Sequence, residues 1–218
     1  MIFSQYKGIK DIIKRYWRYY GGWPSFFLSP YLLIALLINI IMYSIWTKVG
    51  WWDTVIAILP NILGFSLGGY AIWLAVGDEK FKIMLSNSRK EDNSDSVFMK
   101  VNASFVHFIF FQIFALCIAL IAKSEPLTNL PLLVKSWFTT NFLKMIIIEK
   151  YLTYTAWFFG HFVFLYALLS ALAATLAVFR VASWYDHYQK LQNQTNQNRI
   201  EIYLPAEIIT KPNQIYQN

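Results

Sequence analysis

A chain of 218 residues with 57% apolar residues, only 14% charged ones and a mean hydropathy of +0.40 carries more apolar surface than a water-soluble domain of this size buries. The net charge of +7 lies outside several long charge-free runs, as expected where a charge at a bilayer centre costs at least ~2.5 kcal/mol. The single cysteine, Cys117, excludes an intrachain disulfide and a cysteine-based zinc cluster, and no HExxH, glycine-rich phosphate loop or CxxC pair is present. No enzyme activity, cofactor, metal or direct nucleic-acid binding is expected.

The first segment, 1–25, places Ile9, Ile12, Ile13, Tyr16, Trp17 and Tyr20 at helical spacing, with Lys7, Lys10, Lys14, Arg15 and Arg18 mostly on the remaining face. This pattern predicts an amphipathic helix lying flat on the anionic lipid surface of the cytoplasmic leaflet. Gly21, Gly22 and Pro24 end it.

A hydrocarbon core of about 30 Å needs roughly 20 apolar helical residues. Charge-poor runs of that kind occur at about 26–46, 54–76, 104–122 and 154–179, and the first reads as a retained signal anchor. The expected fold is therefore an all-α integral membrane protein, a four-transmembrane-helix bundle over 26–183. Basic residues collect before the first run, in the hairpin 77–103 (Lys80, Lys82, Arg89, Lys90 and Lys100) and after the fourth, which places both termini in the cytoplasm. The hairpin is expected to extend the second span as a helix to about Leu85, with Asp78 and Glu79 able to pair with Lys82. In the outer connection, 123–151, the runs 130–137 and 142–148 are too short to span and suit an interfacial or re-entrant segment. The tail, 184–218, turns rich in Gln and Asn, suiting a solvated helix extension or linker, before a strand-like IEIYL at 200–204 that suits docking of a partner.

The second span is the most unusual. It carries Asn61, Gly64, Ser66, Gly68, Gly69 and Tyr70, and Gly64 with Gly68 forms a GxxxG face for close helix approach in lipid. The fourth span has a matching small face, Ala167, Ser170, Ala171, Ala174 and Ala177, opposite a side rich in Phe158, Phe159, Phe162, Phe164 and Leu168 that should meet lipid. Asn39, Ser66, Gln112, His161, Tyr166, Ser170 and Thr175 are uncharged polar groups within the spans, suited to interhelical hydrogen bonds or a pore wall. No carboxylate lies at hydrocarbon depth, which favours a passive pathway over a proton relay. Gly64 to Gly68 also fits G-x-S-x-G with His161 at similar depth, but a transmembrane helix lacks the strand-turn-helix context that a nucleophile elbow requires. The small faces invite a homo-oligomer.

The block 61–81, NILGFSLGGYAIWLAVGDEKF, resembles span two of small four-helix membrane proteins of bacterial antiphage defence operons, such as Hailong-type channel effectors and the Kiwa membrane subunit. The resemblance covers the membrane part. It implies a multi-pass protein of the bacterial inner membrane, acting as a homo-oligomeric channel effector or as a membrane sensor that holds a cytosolic partner. The combined expectation is a gated ion-conducting pore biased by a cytosolic partner protein or nucleotide-type signal. The alternative is a non-conducting sensor or scaffold.

Overall fold

Where no water reaches the backbone, every amide must find its partner inside the chain, and a helix supplies one locally. In the computed structural model, which describes residues 2–75, 79–86, 96–124 and 142–203, that solution is used throughout. The helices are α1 (Ile2–Tyr20), α2 (Gly22–Phe27), α3 (Pro30–Ile41), α4 (Tyr43–Trp46), α5 (Trp51–Ala75), α6 (Glu79–Ser86), α7 (Val97–Lys123) and α8 (Phe142–Tyr203). No strand occurs among the described residues. Three helices are long and apolar enough to cross a membrane: α5, α7 and, within α8, Lys150–Thr195. The chain has the make-up of a multi-pass membrane protein.

The run 26–46 is not one continuous helix. Ser29, with extended backbone angles, precedes Pro30 at the first turn of α3, and a residue before proline avoids the helical region, so 26–27 falls to α2 and Leu28 caps it. A second break comes at Met42, where the Trp46 indole donates to the Asn39 carbonyl at 2.8 Å. Alone, α3 has 12 residues, fewer than a span requires. Gly21 and Gly50 adopt φ of +105° and +94°, the left-handed turns that end α1 and introduce α5.

Helix α8 differs most from expectation. It begins at Phe142, so 142–148 is the first part of a long helix and not a separate re-entrant element, while 130–137 lies outside the described residues. It continues through the Gln/Asn-rich region to Tyr203, so 200–203 is helical, not strand-like. Side chains bonding one turn apart, Gln189 to Tyr185 and Gln192 to Tyr188, with the Lys190–Asp186 ion pair, carry the helix through this polar stretch. Its 62 residues measure roughly 93 Å, about three times the hydrocarbon thickness.

The bundle has α7 and α8 at its centre, with α5 and α3 packed against them. One apolar cluster joins Leu32, Ala35, Trp51, Val55, Leu59, Ala115, Ala119 and Ala167. A second, at the end nearer α6, joins Trp73, Phe81, Leu85, Phe105, Phe108, Ala174 and Val181. Phe164 belongs to the first cluster at 4% exposure, which corrects its expected lipid-facing place, whereas Phe159 is exposed. Thr175 is exposed too, its hydroxyl spent on the Ala171 carbonyl. Helix α6 makes 79–86 of the expected extension helical, while the junction 76–78, with Asp78, lies outside the described residues; Lys82 donates to the Leu74 carbonyl at 2.9 Å near the C-terminal end of α5, where a cation complements the helix dipole.

Candidate functional site

The polar side chains of the bundle interior form separate small networks. In the first, the Asn39 amide donates to the Phe158 carbonyl at 3.2 Å, leaving its oxygen to accept from His161 Nδ1–H at 2.7 Å. This arrangement assigns both the amide orientation and the imidazole tautomer. In the second, Gln112 donates to the Ser66 hydroxyl at 3.0 Å, while Gln112 Oε1 is buried without a partner among the described residues. In the third, Tyr70 donates to Asn102 Oδ1 at 3.0 Å, and Asn102 donates on to the Phe98 carbonyl.

The fourth network ties α1 into the bundle. His107 bridges the Tyr16 hydroxyl, 2.6 Å from Nδ1, and the Tyr166 hydroxyl, 2.7 Å from Nε2. The Tyr20 ring stacks on the imidazole at 3.8 Å and 7°. Burial pushes the phenols of Tyr16 and Tyr20 above their ordinary range, which keeps them protonated. The apolar face of α1 is thus divided. Ile9, Ile12 and Ile13 remain exposed, while Tyr16, Trp17 and Tyr20 are half-buried against α7 and its neighbours. The helix is docked at one end, a modification of the expected surface-lying anchor. Lys7, Lys10, Lys14, Arg15 and Arg18 are exposed.

The residues singled out in the sequence fall into two groups. Ser66, Tyr70, His161, Tyr166, Ser170 and Ala174 point into the protomer, with Ser170 donating to the Ala167 carbonyl. Ser66 and His161 sit in different networks with different partners, Gln112 and Asn39. Asn61, Gly64 and Gly68 are on the outer surface of α5, and a Cβ added at Gly64, Gly68 or Gly69 meets nothing within 4 Å.

The outward residues continue along the whole helix. Thr54, Ala57, Asn61, Gly64, Gly68, Ala71 and Ala75 recur at alternating spacings of three and four, and every one is exposed. Ile58, Phe65, Leu67, Ile72 and Leu74 flank this stripe with large exposed apolar groups. Pro60 removes an amide from the helix ladder at this point, and the Asn61 amide reaches back to the Ala57 carbonyl at 3.4 Å.

No family model, curated protein or solved structure matches the chain. Among the described residues no group of three His, Cys, Asp or Glu side chains converges as a metal site.

Sequence reasoning missed the glycine that does pack closely within the protomer. A Cβ on Gly160 would lie 2.8 Å from Trp51 Cη2 and 3.0 Å from Ile118 Cγ2. Ala156 stands four residues before Gly160, a small-xxx-small spacing that could have marked it, but what packs there is a tryptophan from a distant helix and not a second small-residue face.

Proposed function

We propose that the chain is the protomer of a homo-oligomeric, gated ion-conducting membrane pore in which α5 lines or borders the shared axis. The supporting observation is the exposed small-residue stripe of α5 with Asn61 near its middle. Against lipid, such a face forgoes dispersion contacts and leaves an amide in hydrocarbon. Against a second copy or a water-filled axis, it permits close approach and keeps the amide satisfied. In this reading α3 and α4 together complete a fourth span, their 17 residues from Pro30 to Trp46 covering roughly 25 Å, and both termini face the cytoplasm of a bacterial cell.

Gating follows from α6. Phe81, at 1% exposure, packs edge-on against Tyr185 with centroids 5.0 Å apart and also contacts Tyr188, both on the projecting part of α8. A cytosolic signal that binds α8 differently in two states would shift α6 and, through it, α5. An antiphage effector role would use such opening to depolarise the cell.

The test is ion flux from liposomes holding the purified protein, with a Gly68→Leu variant beside it. Flux in the native chain, with loss of flux and altered oligomer size in the variant, is expected. An unchanged oligomer and unchanged conductance in the variant would remove α5 from the axis. The length of α8 favours one second reading, a non-conducting scaffold that holds a cytosolic partner. Deleting 191–218 retains the Phe81 contacts with Tyr185 and Tyr188, so a pore should still conduct, whereas a scaffold should lose its partner.

A further inference from the structure

Between the end of α1 and the body of α8 lies a cavity of about 250 Å³, walled by four helices and the residue that caps one of them. Its polar lining comes from Tyr20, Ser29, Ser104, Tyr166, Ser170 and Arg180, and Leu176 with Ala173 and Ala177 supplies an apolar wall. We propose that this cavity binds the phosphate-bearing headgroup of an anionic phospholipid.

Three features converge on a negative ligand. Arg180 is exposed at the lining and has no acidic partner among the described residues, whose ion pairs are Lys123–Asp53 and Lys190–Asp186. A guanidinium with free donors suits a phosphate because it can give two parallel hydrogen bonds. The N-terminus of α3 opens on the same space, since Ser29 and Tyr31 both line it. Ser29 stands at the N-cap yet makes no capping bond with its side chain, so its hydroxyl remains available beside the positive end of a 12-residue helix. The hydroxyls of Tyr20 and Tyr166, 3.5 Å apart and paired with each other, make the opposite side polar.

Size and wall decide for a headgroup over a whole ligand. The volume falls below the ~300–1,000 Å³ of pockets that enclose drug-sized molecules. A headgroup fits, and the acyl chains would run out past Leu176 into the bilayer. This site differs from the diffuse attraction of lipid to the exposed cations of α1, because none of Lys7, Lys10, Lys14, Arg15 and Arg18 lines the cavity. The inference rests on the chain lying in a bilayer and is independent of conduction.

The experiment is native mass spectrometry of the full chain in neutral detergent, titrated with phosphatidylglycerol and phosphatidylcholine of matched acyl chains. Phosphatidylglycerol should be retained about tenfold better. The Arg180→Gln variant should erase that preference, Ala177→Leu should weaken it by narrowing the wall, and joint Lys14→Gln, Arg15→Gln and Arg18→Gln changes should leave it. Equal retention of the two lipids, a preference that survives Arg180→Gln, or one lost only in the α1 variant would overturn the proposal. Displacement of the lipid by millimolar inorganic phosphate would assign the cavity to a free anion and overturn it as well. Because Arg180 is exposed, its variant should keep the melting temperature of the native chain, so lost binding reports the site.

Discussion

Asn39 and His161 pair inside the bundle, where the amide is also oriented by the Phe158 carbonyl. Replacing Asn39 with Leu leaves His161 Nδ1–H buried without an acceptor, at a cost of about 1–3 kcal/mol. Thermal unfolding in detergent should show a lowered midpoint for Asn39→Leu. The double change Asn39→Leu with His161→Phe should recover most of the loss, because no polar group is then stranded. Asn39 was recognisable in the sequence as a polar residue inside an apolar run. Its pairing with His161, 122 positions away, was not, because two helices must cross before the amide and imidazole meet.

The docking of α1 extends the same chemistry to a whole element. Its amphipathic spacing is legible in the sequence, but the division between exposed isoleucines and half-buried tyrosines follows from what stands opposite, namely His107 on α7. Tyr16→Phe removes one hydrogen bond worth about 1 kcal/mol, and limited trypsin cleavage at Lys14, Arg15 or Arg18 should accelerate roughly fivefold. The phenols also give α1 a pH response. Burial raises Tyr16 and Tyr20 above the ordinary value of 10.0, so the docked helix holds these protons more tightly than the released one. Their contribution to docking is complete below pH 10 and declines as pH rises beyond it. Trp17 fluorescence, followed through an alkaline titration, should remain at the docked value to about pH 10 and then change.

Across the molecule, glycines with the same composition signal have opposite roles. Gly160 sits where Trp51 and Ile118 leave no room, so Gly160→Leu should destabilise the protomer by about 1–3 kcal/mol or more. Gly68 faces open space, so Gly68→Leu should leave the protomer's unfolding midpoint near that of the native chain and act only on assembly. Unfolding measured in detergent, alongside oligomer size by light scattering, separates the two effects. Equal destabilisation by both changes would place Gly68 in a protomer contact.

Composition and run length were enough to establish a helical membrane protein, because hydropathy and backbone satisfaction in lipid depend on short stretches of chain. Of the four runs, three are long apolar helices, while 26–46 is divided among shorter ones; charge pattern and spacing marked the helical 2–20 and 79–86. The runs misplaced the boundaries of α8 because a helix continues or stops according to local partners such as Tyr185 and Gln189, which a hydropathy window averages away. The inward or outward direction of Ser66, Gly68, Phe164 and Gly160 required the arrangement of α3, α5, α7 and α8 around one another. In lipid both sides of a helix are apolar, so periodicity carries little of the buried-versus-exposed signal that it carries in water, and contact across helices decides which face is inside.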